Sequence, residues 1–469
     1  MSSIKLTSLQ LRKSCDPRCH APLPLRIDDR HTLPFDRWRR DAPDSSPFPV
    51  AFVTSEQGKN RVGCRLEIEY QGDRDVEVHV SATSVDQCGV LGDLRGAKFK
   101  VQPGTNVCYV DLTGATIAGA VTDIRNVSLE WRLCGGGSSD QTITHLRVYL
   151  LPGMPSKPWD PSGEDPLHTP WVKALECACD WARGSKNSVE AAQQITERLY
   201  LLGRTPHCKY PGETVLTYSQ RSHFTDNARR MRRGTAAVAH GNTRYEGTFF
   251  LGRFLRLLKG DEDLLGVLNC TDCASIVSTL TNLLGGELCQ ARISEGAFTT
   301  HPIRLIGGKY ECDGVYFIFH EVAWCGERGP KGRVWDACLA VDGDGDPTAE
   351  PFNELLPINL PFGPPEEQNS YLFWLVPWDV ASKMEPPAAY MIRRPLVVAP
   401  PEGITPIPWE ARAPWVWPKP HWRVPAEELR QRLFGELNQN WELGPWSDVP
   451  ELYWATVPEA RCRRLDGEE

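Results

Sequence analysis

The spacing of apolar side chains constrains the fold of this chain most. They recur at every second residue in the N-terminal part of the chain and at every third or fourth residue further along. Segments between Pro49 and Pro152, such as Arg65–Tyr70 and Val76–Val80, alternate polar and apolar residues. Such alternation is typical of β-strands with one buried face. Several such strands, separated by turn residues, predict an all-β sandwich or jelly roll over residues 49–152.

A proline-rich linker, residues 153–168, separates the β region from a helical one. Helices are predicted at Pro170–Ala182 and at Ser188–Leu202, the second with Ser188 as its N-cap, and another near Tyr245–Leu258. Together with strands further along the chain, these helices predict an α+β domain over residues 169–345.

The two ends of the chain show little periodicity. Residues 1–48 are polar and rich in proline, which predicts an extended N-terminal arm packed across a domain or partly disordered. Residues 346–469 interleave tryptophans with prolines and predict a Pro/Trp-rich C-terminal extension that wraps over the preceding domains. Its rings could instead line a substrate cleft or dock a partner. The predicted fold class is therefore α+β multidomain, with a β-sandwich, an α+β core and this wrap.

Composition excludes several classes of partner. The chain has 469 residues, and its 52 basic and 60 acidic side chains give a net charge of −8, which argues against a nucleic-acid or membrane binder. The basic cluster Arg229–Arg233 is interpreted as a solvated helix face or a local acid-binding patch rather than a nucleic-acid module. Residues Met1–Leu11 contain no apolar run of the kind that a secretory signal needs, so we expect no such signal, and no apolar stretch is long enough to span a membrane. The 16 cysteines are scattered, so we expect mostly reduced thiols and a cytoplasmic protein.

One cysteine begins a predicted helix. From Cys270 onward apolar residues recur at spacings of three and four, and Gly285-Gly286 then ends the pattern. The residues of this stripe are Ala274, Val277, Leu280 and Leu284. A helix N-terminus favours the thiolate over the thiol. Because burial would raise the thiol pKa, we expect the site to lie in a cleft.

A histidine and a carboxylate follow in order. His320 ends the apolar run Val315–Phe319, and Asp336 lies in a second run, Val334–Leu339. The turn residues between the two runs predict an antiparallel hairpin in which His320 and Asp336 are neighbours. A carboxylate beside an imidazole fixes its tautomer and orientation.

These motifs resemble the transglutaminase-like superfamily, which includes cysteine peptidases, amidases, transglutaminases and peptide N-glycanases. The resemblance covers roughly residues 261–341. The matching segments are Cys270 with Ala274, Leu284–Arg292, His320–Trp324 and Trp335-Asp336. The resemblance implies that Cys270 is the nucleophile, His320 the general base and acid, and Asp336 the orienting carboxylate.

The β region is similar to galactose-binding-like jelly rolls in the order Asp111–Gly114, Asp123–Val127 and Leu146–Leu150. Such domains often bind carbohydrate, so a glycan is a candidate ligand, but they equally serve as structural or substrate-orienting modules.

The chain departs from the family pattern at the oxyanion site. Animal transglutaminases place a tryptophan upstream of the cysteine to stabilise the oxyanion, but no tryptophan lies between Trp181 and Trp324 here. The upstream glutamine of papain-type enzymes is also missing at short range, because Gln220 is too far from Cys270 to be assigned that role. Only the backbone N–H of Cys270 can be named as an oxyanion donor. The missing tryptophan argues against protein cross-linking and favours plain hydrolysis or a specialised amide-bond reaction.

Alternatives exist for each site residue. Cys273 forms a Cys-x-x-Cys with Cys270, but without a second such pair we interpret it as a packing residue. His301 competes with His320 as the base, and Asp342 with Asp336 as the orienting group. We interpret Asp342–Asp346 as an acidic turn because Pro347 and Asn353 occupy positions that a calcium loop needs for glycine and an acid. The trio Cys15, Cys19 and His20 lacks a fourth metal ligand in range. We therefore predict no metal and no cofactor.

The predicted function is a cysteine-dependent acyl-transfer enzyme acting on amide bonds, most simply a peptidase or amidase with a peptide or protein substrate. One alternative is a transglutaminase, which needs the same residues and an amine co-substrate. Another is a non-catalytic scaffold that binds a glycan or a protein through a degenerate core.

Overall fold

The computed structural model describes residues 2–12, 22–29, 31–33, 37–41, 47–54, 61–85, 90–114, 117, 119–165, 168–203, 216–218, 243–245, 249–260, 266–292, 298–307, 310–312, 316–317, 320–326, 329–341, 355–364, 366–377, 390–393 and 462–464. The chain divides into two compact units. The first contains described residues of Met1–Gln194 and Leu280–Gly286, and the second those of Ile195–Thr279 and Glu287–Glu469.

A nine-stranded sheet forms most of the first unit. Its strands are β1 (Ser3–Arg12), β2 (Trp38–Arg39), β3 (Phe48–Val53), β4 (Arg61–Gln71), β5 (Val76–Ser84), β6 (Asp93–Val101), β7 (Gly104–Thr113), β8 (Thr122–Gly135) and β9 (Ser138–Leu151). Their order in the sheet is β2-β1-β4-β7-β6-β5-β8-β9-β3. Strands β6 and β7 pair only at Arg95 and Thr113, and β1 also approaches β8 and β9. The sheet therefore folds over on itself and nearly closes, which agrees with the predicted β-rich N-terminal half.

The core of this unit follows from the predicted alternation. On β4, Leu66 and Ile68 are fully buried, and on β8 the buried positions include Trp131. The indole Nε1 of Trp131 donates a hydrogen bond to Thr144 Oγ1 at 2.9 Å, so its polar atom is satisfied inside the core. Each fully buried large apolar side chain stabilises the fold by roughly 1.5–3 kcal/mol.

Strand β1 lies in the segment that we predicted to be an extended arm. It pairs antiparallel with β4 along its whole length, and Ile4, Leu6 and Leu9 face the core. A register shift between Leu6 and Ser8 interrupts the alternation. Because the sequence pattern changes phase at this bulge, the strand was hidden from a search for period two.

Two helices follow the sheet, α1 (Val172–Trp181) and α2 (Ser188–Leu201). Helix α1 is attached to β9 through Arg147, which donates to both oxygens of Asp123 and to Glu176. The N-cap of α2 is Asn187 rather than the predicted Ser188, because Asn187 Oδ1 accepts from the backbone N–H of Glu190 at 2.9 Å.

The second unit combines short strands with helices. Its helices are α3 (Leu251–Leu258), α4 (Cys270–Leu283, whose last residues belong to the first unit) and α5 (Tyr371–Leu375). Its strands are β10 (Thr217–Tyr218), β11 (Thr243–Tyr245), β12 (Val267–Leu268), β13 (Cys289–Arg292), β14 (Phe298–Thr299), β15 (Ile303–Leu305), β16 (Tyr310–Cys312), β17 (Tyr316–Phe317), β18 (Glu321–Cys325), β19 (Arg333–Trp335), β20 (Leu339–Val341), β21 (Ile358–Pro361), β22 (Tyr390–Arg393) and β23 (Cys462–Arg464).

The largest sheet of this unit has six strands in the order β11-β22-β13-β18-β19-β21. Strands β20, β15, β16 and β23 form a second sheet, and β10 with β12 and β14 with β17 form two-stranded pairs. In the parts of the chain that the structure describes, no helix has both the length and the apolar character needed to cross a membrane.

Helix α4 ends as its sequence predicts. Gly285 adopts a φ of +88°, and its N–H donates to the carbonyl of Asn282 at 3.2 Å. The N–H of Gly286 donates to the carbonyl of Thr281 at 3.0 Å. These two bonds form a Schellman motif, which needs a residue that tolerates positive φ after the helix.

Several predictions concern residues outside the described ranges. These are Cys15, Cys19 and His20, the cluster Arg229–Arg233, Gln220, the acidic turn Asp342–Asp346 and nearly all of the C-terminal extension.

Candidate active site

Cys270 is the first residue of α4, as predicted. The preceding residue, Asn269, caps the helix: its Oδ1 accepts from the N–H of Asp272 at 3.1 Å, and Asp272 Oδ2 accepts from the N–H of Asn269 at 3.4 Å. This reciprocal arrangement is a capping box. It leaves the N–H groups of Cys270 and Thr271 without an acceptor among the described residues. The first turn therefore offers free N–H donors beside the thiol.

Helix α4 is buried on all sides rather than on one stripe. Ser275 and Ser278 donate their hydroxyl protons to helix carbonyls four residues earlier, each at 2.7 Å, and Gln290 Nε2 donates to Ser278 Oγ. Back-bonding of this kind satisfies polar side chains inside a protein. Hydrogen bonds therefore stabilise the polar face of the helix that carries Cys270, and apolar packing stabilises the other face.

His320 and Asp336 lie at the same end of a β-hairpin. Strands β18 and β19 pair antiparallel, with Ala323 opposite Trp335. His320 immediately precedes β18, and Asp336 immediately follows β19. A hairpin is what the sequence predicts here, and the strand directly adjoining the histidine among the described residues is β18, which follows it.

The apolar run before His320 has another role. The two described residues of that run, Tyr316 and Phe317, form a strand, and the ring of Phe317 packs against the imidazole with centroids 4.8 Å apart. A buried strand begins at Glu321. Because this first residue is charged, a search for apolar runs does not detect the start of the strand.

Three donors hold the carboxylate of Asp336. His320 Nε2 donates to Asp336 Oδ2 at 2.6 Å, and the phenol of Tyr371 donates to the same oxygen at 2.8 Å. The backbone N–H of Cys338 donates to Oδ1 at 2.8 Å. With both oxygens held, the carboxylate fixes the imidazole with Nε2 turned toward it. The other ring nitrogen, Nδ1, is buried and has no hydrogen-bond partner among the described residues.

The thiol of Cys270 lies beside this imidazole, close enough for each group to change the pKa of the other, although they do not meet in ordinary hydrogen-bond geometry. Burial raises the pKa of Cys270 above its ordinary value of 9.0, and His320 opposes part of that rise. For His320, burial lowers the pKa, but the charge and hydrogen bond of Asp336, with a smaller contribution from Cys270, outweigh it and raise the pKa from 6.5 to about 10. At neutral pH the imidazole is therefore protonated.

The site is closed, contrary to the predicted cleft. The exposed fractions of Cys270, His320 and Asp336 are 3%, 0% and 1%. All residues of α4 are buried, and so are Glu321–Trp324 and Val334–Asp336 of the hairpin, which explains why burial is the largest effect on the thiol pKa.

The rival residues are placed differently. Cys273, one turn along α4, contacts the thiol of Cys338, and both are buried, which suits a packing role. His301 is tied to α5 by its backbone N–H, which donates to Leu375 at 2.9 Å. Among the described residues, no three or more His, Cys, Asp or Glu side chains are grouped to hold a metal ion.

Tyr371 is the site residue that the sequence analysis missed. It is fully buried and contacts Asp336 from α5, 35 positions further along the chain. Its neighbours in sequence, Tyr-Leu-Phe-Trp-Leu, are an ordinary apolar helix. The only local signal is Ser370, which caps α5 by accepting from the N–H of Phe373.

Comparisons with known proteins give no family for this chain. No family model matches it, and no curated protein matches it in sequence. Among solved structures, the CooA pilin subunit from enterotoxigenic Escherichia coli is similar over 30% of this chain and 97% of its own, with 11% sequence identity and a TM-score of 0.14. A TM-score this low carries no argument about fold or function.

Proposed function

We propose that this protein is a cysteine-dependent hydrolase of amide bonds, a peptidase or amidase with a transglutaminase-like core. The observation that carries the proposal is the order of contacts in one buried site: Cys270 at a helix N-terminus, His320 beside it, and Asp336 behind the imidazole. A thiol, an imidazole and an orienting carboxylate are the parts that thiol acyl transfer requires.

The chemistry begins with the proton of the thiol. Because His320 is already protonated at neutral pH, the thiol loses its proton to solvent, and Cys270 Sγ then attacks the amide carbonyl as a thiolate beside the imidazolium, whose Nδ1 is the ring nitrogen that Asp336 leaves available. When the tetrahedral intermediate collapses, His320 gives a proton to the leaving amine and a thioester remains on Cys270. Water then attacks the thioester, its proton passes to His320, and the acid product leaves.

The capping box supports an oxyanion site at the start of α4. Because Asn269 and Asp272 satisfy each other, the N–H groups of Cys270 and Thr271 stay available for a developing negative charge. Only the first of these donors could be predicted from the sequence, and the N–H of Thr271 is a second candidate donor.

The proposal is tested by trapping the thioester. Wild-type protein is incubated with a mixed peptide and amide library, quenched in acid, and searched by mass spectrometry for an acyl adduct on Cys270. We expect the adduct in wild type and in the matched control Cys273→Ser, which changes a buried thiol one turn away, and none in Cys270→Ser. Turnover that survives Cys270→Ser would overturn the proposal. A dansyl-amine in the same mixture separates the two outcomes, because hydrolysis gives free acid and transamidation gives labelled peptide.

The thiol content supports a reducing, cytoplasmic location. Ten described cysteines are free, and buried ones such as Cys64 and Cys179 have their pKa values raised by burial. Free thiols in this number suit a compartment where they stay reduced.

A glycan is the ligand that we propose for the nine-stranded domain. On the outer face of β7, Tyr109 is 60% exposed, with Arg12 stacked at 4.8 Å from its ring centroid and Arg65 close enough for the phenol to raise the Arg65 pKa. An exposed aromatic ring with planar polar side chains around it can stack on a sugar and hydrogen-bond its hydroxyls. Glycan-array binding that is unchanged in Tyr109→Ala would remove this support.

A further inference from the structure

We infer that Tyr371 is a positioning residue that sets the basicity of His320 through Asp336. The inference rests on the proposed function, since it assigns a role in the same site. Its direct test, the titration of His320, needs no turnover, so the two ideas can fail separately.

The geometry places one carboxylate oxygen between two donors. Asp336 Oδ2 accepts from His320 Nε2 at 2.6 Å and from Tyr371 Oη at 2.8 Å. The other oxygen is already bonded to the N–H of Cys338. Tyr371 and His320 therefore compete for the negative charge of the same atom.

Tyr371 remains a donor at every working pH. Burial is the largest cause that raises its pKa well above the ordinary value, and the charge of Asp336 raises the pKa further. A phenol that cannot ionise donates its proton permanently. Because it spreads part of the charge on Oδ2 over a second hydrogen bond, it weakens the pull of Asp336 on the imidazole proton.

Packing and hydrogen bonds hold the side chain of Tyr371 in place, so its hydroxyl stays bonded to Asp336 Oδ2. The backbone N–H of Leu372 donates to the carbonyl of Phe362 at 3.0 Å, and Ser370 caps the helix that carries the tyrosine. The rings of Phe362 and Tyr371 stack with centroids 6.4 Å apart and an interplanar angle of 21°. The ring packing survives removal of the hydroxyl, which makes Tyr371→Phe a clean change.

The experiment compares two tyrosines. Tyr371→Phe removes the donor to Asp336, and the matched control Tyr200→Phe removes a buried phenol that donates to the neutral carbonyl of Arg304 at 3.3 Å in the same unit. Protein labelled with 15N-histidine is titrated by NMR between pH 6 and pH 11, with His320→Asn to assign the resonance. The kcat, the KM and the pH profile are measured on any amide substrate found for wild type.

We expect Tyr371→Phe to raise the His320 pKa by about one unit, because the full carboxylate charge then acts on the imidazolium. We also expect kcat to fall by about tenfold with KM unchanged, since a more basic imidazole gives its proton to the leaving amine less readily. The pH profile should move to the alkaline side. Tyr200→Phe should leave the titration and the profile where they are in wild type.

An unchanged His320 titration in Tyr371→Phe would overturn the inference, and so would an equal shift in Tyr200→Phe. Full activity in Cys270→Ser would instead overturn the proposed function, and the titration would still decide the role of Tyr371.

Discussion

His320 and Asp336 share a hydrogen bond of 2.6 Å in which neither side chain is more than 1% exposed. A buried imidazolium is costly on its own, and here its surroundings, with Asp336 as the largest favourable contribution, more than offset that cost, because the His320 pKa is raised to about 10. The pair therefore links protonation to stability as well as to chemistry.

This link predicts a pH-dependent stability. A raised folded-state pKa contributes stability that is fully present below 6.5, the unfolded value, and is lost as pH rises through about 10. The raised pKa of Cys270 acts in the same direction at alkaline pH. We expect the free energy of unfolding of wild type, measured by chemical denaturation, to fall between pH 6.5 and pH 10.

Asp336→Asn is the comparison. Without the carboxylate, burial is the largest remaining effect on His320 and lowers its pKa, so the variant should be less stable than wild type by a few kcal/mol near pH 6.5. The difference should shrink toward pH 10. A constant difference across that range would contradict the assignment of the proton to His320.

The rate at which each thiol of the native protein is alkylated should depend mainly on how exposed that thiol is, and less on its chemical reactivity. Cys134 is exposed and should react with iodoacetamide first, whereas Cys270 is buried and its pKa is raised by burial. We expect the Cys270 rate, read by peptide mass spectrometry, to keep rising with pH up to and beyond 9. His320→Ala should slow Cys270 further, because the imidazole opposes the rise in thiol pKa. Cys134 is the internal control, and an unchanged Cys270 rate in the variant would show that the imidazole does not act on the thiol.

The cap of α4 should contribute to stability. Asn269→Ala removes the acceptor for the N–H of Asp272, and loss of such a cap costs about 1 kcal/mol of unfolding free energy. Asn269→Asp, which keeps an acceptor oxygen at the same place, should stay near wild type. Equal losses in both variants would mean that the side-chain oxygen of residue 269 does not cap the helix.

The end of α4 allows a cleaner comparison between two glycines. Gly285 and Gly184 both have a φ of +88°, but a Cβ at residue 285 would lie 2.4 Å from the Cα of Gly153, whereas one at residue 184 meets nothing within 4 Å. Gly184→Ala should cost about 1–2 kcal/mol, the backbone strain alone. Gly285→Ala should cost ~1–3 kcal/mol more, because the neighbouring backbone must move. Denaturation midpoints that agree for the two variants would contradict this close approach.

The sequence predicted the parts of the site that are local in the chain. Cys270 could be placed because a helix pattern begins there and Gly285 ends it, and the hairpin could be placed because turn residues separate two apolar runs. Both signals depend on neighbours within a few residues. Such local signals can be recognised without knowledge of the tertiary packing.

What the sequence could not predict depends on contacts between distant segments. Tyr371 reaches Asp336 from a separate helix, and no spacing rule relates the two. Strand β1 was missed because the bulge between Leu6 and Ser8 shifts its alternation. The closure of the site was missed because burial is a property of everything packed around Cys270, and the helix that carries it has many polar residues.

The sealed position of Cys270 bears on the fate of any acyl group attached to it. Because the sulfur is only 3% exposed, water does not reach it freely in this conformation. Hydrolysis of the thioester therefore needs the same conformational change that admits the substrate. The lifetime of the acyl-enzyme would then be governed by gating and not by intrinsic thioester reactivity, and the choice between water and an amine would be made by which one enters first.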